Sequence, residues 1–349
     1  MSHFTTQIHR WYNKNKRDLP WRNTSAPYKI WISEIILQQT RVDQGEAYYY
    51  RFMERFPTVK KLAEAGEDEV LKTWQGLGYY SRARNLHFTA RFIQNELGGK
   101  FPDTYESVLR LKGIGPYTAA AISSFAFNLP HPALDGNVYR ILSRFFGIET
   151  PIDSTKGKKE FYQVAADLIP KGNPGVHNQA MMEFGALQCT PKPDCGQCPV
   201  ADSCFAFRHK MVNRLPVKEK KTRQRIRYFY YYLIESGDFM YLEKRTGQDI
   251  WKNLYQFPLV ETAGELHEQE IIELKNIPFL KDCKKNLKTI TPVKKHILSH
   301  QVIFARLVHL EIDSNCNLNN KFIKIEKNTM TGYAVPRLVE KLMEETGSL

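Results

Sequence analysis

The chain has 349 residues, 42% of them hydrophobic, which suffices for ordinary globular cores and exceeds one core of typical size, so two domains are expected. A formal net charge of +13 suits a polyanionic partner, and no apolar run is long enough for a signal peptide or a membrane span. Four of the six cysteines fall between Cys189 and Cys204, which points to a metal site in a reducing compartment and argues against a disulfide framework.

Residues 1–212 read as mostly helical. IHRWYNKNK forms an opening helix that Leu19-Pro20-Trp21-Arg22 ends. In PYKIWISEIILQQT, Ile32, Ile35 and Ile36 define an apolar face. Glu34 sits inside that run. A helical Glu usually turns to solvent or pairs with an Arg; facing a cavity it would be desolvated, raised in pKa and able to act as a general acid. Further helices are expected over DQGEAYYYRFMERF, DEVLKTWQGL, SRARNLHFTARFIQNEL and FYQVAADLI. Gly76-Leu77-Gly78-Tyr79-Tyr80, between two of them, either packs as a simple helix connection or offers aromatics that wedge a base stack.

TYESVLRL and the helix opening at Pro116 flank a tight hairpin, Leu111-Lys112-Gly113-Ile114-Gly115. Pro suits a first helical turn because its missing N–H would have had no partner there. Gly113 and Gly115 are expected to supply positive φ and close approach, leaving unpaired N–H groups that can hold a phosphate. In Leu134-Asp135-Gly136-Asn137, the Asp stands at the mouth of another helix, where it is either an N-cap or an anion aimed at a substrate.

Cys189, Cys195, Cys198 and Cys204 give C-x5-C-x2-C-x5-C, which fits one compact centre, either zinc or a [4Fe–4S] cluster. Zinc usually asks for two separated C-x2-C knuckles, and only one close pair is present. Cys283 and Cys316 read as isolated buried thiols. From Arg208 to Arg227 nine Lys or Arg face a single Glu, a solvated linker able to lie along DNA backbone. Beyond it RYFYYYLIE, FMYLEKR, LYQFPLVE and HQVIFARLVHLEI are β-type, while HEQEIIELK and PRLVEKLMEE are helical, so the second domain is α+β.

Hairpin, Asp and cysteines occur together with Trp21-Arg22, WISEIILQQT, GLGYYSRARNL, LKGIGPYTAA, LDGNV and MEFGALQC, in order along the chain. On these residues the sequence resembles the MutY-type adenine DNA glycosylases of the endonuclease III superfamily. The resemblance implies a multidomain fold, an all-α helix-hairpin-helix glycosylase domain with an iron–sulfur cluster loop followed by an α+β Nudix-like domain. Residues 1–212 would form the helical region, with the N-terminal helix and 134–212 as the iron–sulfur subdomain and 27–133 as the helix-hairpin-helix subdomain. Residues 213–226 would be a basic linker and 227–349 the Nudix-like lesion-recognition domain.

The resemblance also implies a chemistry: hydrolysis of the N-glycosidic bond of adenine mispaired with 8-oxoguanine or guanine in double-stranded DNA. Glu34 would protonate N7, and Asp135 would stabilise the oxocarbenium ion or bond to it transiently, with Tyr117 and Asn137 positioning sugar and acid. Tyr117 stands where the bifunctional endonuclease III branch carries a Schiff-base Lys, so the enzyme would stop at the abasic site. Trp21, Arg22 and Gln179 would line the adenine pocket, Gln39 and Tyr79 would hold the gap in the duplex, and Thr40 would join them on DNA. Gly113 and Gly115 would grip a phosphate. The four clustered cysteines would hold a [4Fe–4S] cluster, with five residues between the first two where the family usually has six.

Trp251-Lys252-Asn253-Leu254-Tyr255-Gln256-Phe257-Pro258 fits the Nudix-like module, whose catalytic box is absent. Leu298-Ser299-His300 matches the family's lesion-sensing Phe-Ser-His loop with Leu in place of Phe, making Ser299 and His300 recognition candidates. A monomer in the reducing cytoplasm, at the nucleoid, is expected. Two other readings compete. An endonuclease III-like enzyme acting on mismatched thymine or an oxidised pyrimidine would generally lack the second domain. A catalytically silent mismatch binder would need none of Glu34, Tyr117 and Asp135.

Overall fold

The computed structural model describes residues 3–219, 224–272, 279–280, 284–313, 315–316 and 318–346. The chain folds as two compact units, Met1–Glu64 with Asn85–Lys221, and Ala65–Arg84 with Thr222–Leu349. Helices run in chain order as α1 (His3–Asn15), α2 (Pro27–Leu37), α3 (Val42–Arg55), α4 (Val59–Glu64), α5 (Glu67–Thr73) and α6 (Ser81–Glu96). They continue as α7 (Tyr105–Leu109), α8 (Pro116–Phe127), α9 (Gly136–Phe146), α10 (Thr155–Leu168), α11 (Pro174–Leu187) and α12 (Phe205–Arg208).

In the first unit α2 is wrapped on all sides. Every residue from Ile30 to Ile36 is buried, Glu34 included, so the helix does not present the single apolar face read from its sequence. It packs on α8, whose Ala119, Ala120 and Ala121 carry little bulk and let the two backbones approach. A second core joins Phe4, Ile8 and Tyr12 of α1 to Ile141 and Leu142 of α9, Phe161 of α10, and Met181 and Phe184 of α11. α11 also lies tight on α8, for a Cβ at Gly175 would fall 2.6 Å from the Ser124 carbonyl oxygen. Among the described residues no helix is long and apolar enough to cross a membrane.

The second unit is built on strands β1 (Arg225–Ser236), β2 (Phe239–Lys244), β3 (Tyr255–Gln256), β4 (Leu259–Thr262), β5 (Lys285–Ile290), β6 (Lys294–Ile297), β7 (Gln301–Ile312) and β8 (Phe322–Glu326), all in one sheet. Two short helices accompany them, α13 (Glu268–Ile272) and α14 (Arg337–Thr346). β1 and β7 pair in parallel from Arg225↔Gln301 to Glu235↔Glu311, and the other pairs are antiparallel. Because strand side chains alternate, Phe229, Tyr231 and Leu233 face Leu338, Val339, Leu342 and Met343 of α14. Tyr230, Tyr232 and Ile234 face a second cluster with Ile271, Leu280 and Phe322.

Residues 65–84, read from sequence as part of a subdomain spanning 27–133, instead pack with this sheet. Tyr255 donates to Asp68 Oδ2 at 2.9 Å, Lys244 pairs with Asp68 at 2.6 Å, and Lys72 donates to the Tyr333 carbonyl at 3.0 Å. β1 begins at Arg225, inside the expected linker, while residues 220–223 lie outside the described set. β5, β6 and β8 were not foreseen, since their exposed lysines break the apolar pattern of a buried strand. α13 occupies the start of HEQEIIELK, and residues 273–275 lie outside the described set. Cys316 is half-buried and disulfide-bonded, not the free thiol expected; a solitary cysteine carries no local pairing signal. Cys283 lies outside the described residues.

α14 covers one face of the sheet chiefly through fully buried leucines. Leu342→Ala should therefore cost about 2–5 kcal/mol, visible as a lower urea midpoint of the full-length protein. A change under about 0.5 kcal/mol would show that α14 is not holding that face.

Candidate active site

Glu34, near the C-terminal end of α2, is 6% exposed, and the Tyr117 hydroxyl of α8 donates to its Oε2 at 3.0 Å. Burial pushes the Glu34 carboxyl up to about 7; the negative charge of Asp135 adds to the rise, while the Tyr117 hydrogen bond and Arg22 oppose it. The second carboxyl, Asp135, is both things its sequence context allowed. It caps α9, its Oδ1 accepting from the Val138 N–H at 2.8 Å, and it lines the same cavity as Glu34. Its Oδ2 accepts from Asn137 Nδ2 at 2.8 Å. Burial raises the Asp135 pKa, against the pull of these donors and of Arg140. Asp135 thus has N–H donors at a helix N-terminus, which favour its charged form, where Glu34 has one phenol.

The cavity, about 810 Å³, is lined by Glu34, Tyr117, Asp135, Asn137, Trp21, Arg22, Thr40 and Gln179 of the residues foreseen from sequence. Trp21 is held edge-on to Tyr49 with ring centroids 5.4 Å apart. The Tyr12 hydroxyl donates to Gln179 Oε1 at 2.8 Å. Gln39 is exposed at the end of α2, with φ 57°, and does not line the cavity. Of the lining residues not foreseen, Arg17, Met182 and Glu183 carry polar or polarisable groups, and the rest, among them Leu19, Ile30 and Phe125, are chiefly apolar wall. Glu183 is 1% exposed and receives two hydrogen bonds from the Arg17 guanidinium, two from that of Arg22, and one from the Arg17 backbone N–H. Burial alone would raise this carboxyl, yet those donors outweigh it and hold it down to about 2. The signal was available, because Glu183 in MEFGAL interrupts an apolar helix just as Glu34 does.

Arg140 links this cavity to the cysteine loop. It donates to Asn137 Oδ1 at 2.8 Å, to the Gly185 carbonyl at 2.6 Å and to the Cys189 carbonyl at 2.7 Å. Gly185 is obligatory there, since a Cβ would lie 2.6 Å from that of Asn137. Arg144, buried, ties the loop down through the carbonyls of Thr190, Pro191 and Leu215. Cys189, Cys195, Cys198 and Cys204 are free, half-buried and arranged around one cavity of about 420 Å³ with Phe184, Val200 and Arg144. Among the described residues no three ligating side chains converge on a single ion. Four thiols lining one cavity are a donor set that fits a compact thiolate-held centre.

At the hairpin, Gly113 takes φ +83°, and a Cβ there would meet Asn85 Cβ at 2.7 Å. Gly115 departs from expectation. It is the extended N-cap of α8 (φ −98°, ψ 176°), and a Cβ would meet nothing. No side-chain hydrogen bond caps α8, and Lys112, Gly113, Gly115 and Pro116 of the turn are exposed. In the second unit Gly76, Gly78 and Tyr79 all have positive φ, and Tyr79 is 49% exposed with its hydroxyl 2.7 Å from Ser299 Oγ. Arg82 donates to the carbonyls of Leu77 and Gly78 and sits over the rings of Trp74 and Tyr79. Ser299 and His300 are exposed, whereas Leu298 packs on the core beside Ile250 and Trp251.

The chain matches the HhH-GPD superfamily base excision DNA repair protein over residues 32–171 and a NUDIX domain over residues 229–345. It is 35% identical over 344 residues to the adenine DNA glycosylase of Buchnera aphidicola subsp. Acyrthosiphon pisum, covering 98% of this chain and 97% of that one. It is 43% identical over 213 residues to the adenine DNA glycosylase of Homo sapiens, covering 58% and 39%. A solved thermostable thymine-DNA glycosylase aligns with TM-score 0.56 and 30% identity over 59% of this chain and 95% of its own. An endonuclease III–DNA complex, at 21% identity and TM-score 0.53 over 60% and 95%, shares the fold of the helical part.

The buried acid has a thermodynamic signature. Glu34 titrates near 4.5 when unfolded and about 7 when folded, so the folded state binds the extra proton and stability falls as pH rises through that window. Glu34→Gln removes the fall. Its stability relative to wild type should improve between pH 4 and pH 8 by an amount on the order of 3 kcal/mol in urea titrations, and a constant difference would refute the raised pKa.

Proposed function

The chain belongs to the adenine DNA glycosylase family of base excision repair enzymes, and from that premise we propose that it removes adenine mispaired with 8-oxoguanine or guanine and stops at the abasic site. One observation carries the reading: Glu34, Tyr117 and Asp135 line a single cavity, and N-glycoside cleavage requires an acid at the base and an anion at the sugar. Protonated Glu34 transfers its proton to N7 of the everted adenine. The C1′–N9 bond then breaks with its electron pair on N9, and adenine departs neutral. Asp135, ionised, faces the oxocarbenium charge left on the sugar. Water adds at C1′, and its proton returns to the Glu34 carboxylate, closing the cycle.

Tyr117 holds the Glu34 carboxyl in place and supplies no amine, and no lysine lines the cavity among the described residues. Without a Schiff-base nucleophile the strand stays intact. Arg17, Arg22, Glu183 and Gln179 present fixed polar groups to the base, and Trp21 forms an aromatic wall. The hairpin at Gly113–Gly115 grips a phosphate through the open N–H groups of α8. Gln39 fills the space left by the everted base. Tyr79, Ser299 and His300 form the lesion-sensing set, with Leu298 as their anchor in the core of their own unit. Cys189, Cys195, Cys198 and Cys204 are the ligands of a [4Fe–4S] cluster. When bound it would cross-link the loop whose Cys189 carbonyl Arg140 grips, and so steady Asn137 beside Asp135. The enzyme acts as a monomer in a reducing compartment that contains DNA.

Single-turnover assays on duplexes pairing 8-oxoguanine with A, C, G or T, and on a G:T duplex, test this reading with and without alkali. Excision is expected opposite 8-oxoguanine at A alone, with strand breaks only after alkali; excision of T from G:T would favour the thymine-directed reading. The rate should fall about tenfold per pH unit above about 7, because Glu34 must carry its proton. Glu34→Gln should lose about 10²–10⁴ in rate, and unchanged turnover would remove Glu34 from the chemistry.

A further inference from the structure

Asp135 reaches the cavity at the end of an extended run, His131-Pro132-Ala133-Leu134, that crosses between α8 and α9. Tyr105 stacks on His131 at 4.3 Å between ring centroids, and one amide side chain hydrogen-bonds the backbone of the run. Asn178 of α11, 3% exposed, accepts from the Ala133 N–H through Oδ1 at 3.1 Å. Its Nδ2 donates to the His131 carbonyl and to Ser124 Oγ of α8, both at 2.9 Å. The amide's orientation follows from its partners, because a backbone N–H can only donate and a carbonyl can only accept. No other side chain of this size supplies both functions in this order. Asp would lose the two donors, and Leu would leave buried backbone groups unpaired, at a cost of about 1–3 kcal/mol each.

Asn178 lies next to Gln179 and one helical turn before Met182 and Glu183, all three of which line the cavity. α11 therefore carries the wall that meets the base and, through one amide, the run that delivers the carboxylate. The far side of Asp135 is tied separately, by Val138 N–H and Asn137. On the near side the amide supplies the polar ties to the backbone, with only Leu134 between the gripped Ala133 and the Asp.

We propose that Asn178 is a positioning residue for glycosidic-bond cleavage, setting where the Asp135 carboxylate stands relative to the sugar by fixing residues 131–133 from α11. The inference rests on Asp135 being the counter-charge to the oxocarbenium ion. Attraction between a carboxylate and a developing cation in a water-poor site weakens with each increment of separation. Loss of the amide should then reduce affinity for a positively charged sugar more than affinity for DNA.

The test compares full-length wild type with Asn178→Ala and Asp135→Asn. Each is measured for binding to two duplexes with an abasic mimic opposite 8-oxoguanine, one a protonated pyrrolidine and the other a neutral tetrahydrofuran. Wild type should prefer the cationic mimic, as enzymes bind mimics of their transition state more tightly, and Asn178→Ala should cut that preference by about tenfold with binding to the neutral mimic nearly unchanged. A merely structural role would weaken both affinities together and leave their ratio alone. If Asp135→Asn abolishes the preference while Asn178→Ala retains it, the positioning role is overturned and the reading of Asp135 stands. If Asp135→Asn retains the preference, both fall. Should Asn178→Ala not fold, Asn178→Ser keeps a hydroxyl in the same space and is judged by the same ratio.

Discussion

Glu34 is enclosed by its own apolar helix and by α8, and desolvation there works against its ionised form more strongly than Tyr117 and Arg22 work for it. A group placed this way keeps its proton near neutral pH only while water stays out. That requirement explains features that would otherwise look incidental. α2 is buried from Ile30 to Ile36, α8 is alanine-rich where α2 packs on it, and the hydrogen-bond donor to the acid is a phenol whose own pKa burial pushes well up. A positively charged neighbour at that position would hold Glu34 ionised and remove its ability to donate.

The other buried charges in the first unit obey the opposite rule. Glu183 and Arg144, buried, and Arg140, half-buried, are each surrounded by partners that match them: Glu183 accepts from two guanidiniums, and the two arginines donate to carbonyls. Buried ions persist only when so matched. Their partners are also revealing. The arginines hold either the walls of the cavity or the cysteine loop, so the same bonds that satisfy them keep α9, α11 and the loop in one arrangement. Asp135 sits where these constraints meet. It is tied forward to α9 and backward, through the run before it, to α11.

The second unit solves a different problem. Its sheet is covered on both faces, and the alternation of β1 sends successive aromatics to opposite cores. Segment 65–84 is held against this sheet, which brings Tyr79 within a hydrogen bond of Ser299 although 220 residues separate them. Both side chains are exposed, and Tyr79 adopts a backbone conformation that ordinary residues avoid. Local strain of this kind persists only where the surroundings impose it, here through Arg82 and the glycines on either side.

Local chemistry was legible from residue order alone. The turn at Gly113, the helix start at Pro116, the cap at Asp135, the clustered thiols and the shift from helical to alternating patterns each depend on a few neighbours in the chain. Eight of the eighteen cavity-lining residues were named on the same footing, through motifs that recur as short strings. What the string could not hold was burial and partnership at long range. Glu34 meets Tyr117 across 83 positions and Glu183 meets Arg22 across 161, so an acid inside an apolar run marks both, but which is raised and which is paired has no local signature. The lysine-rich strands at the sheet's edges, the extended backbone of Gly115, the disulfide at Cys316 and the attachment of residues 65–84 to the C-terminal sheet have the same origin. Desolvation and side-chain pairing are properties of what surrounds a group, and those surroundings exist only once distant segments have packed.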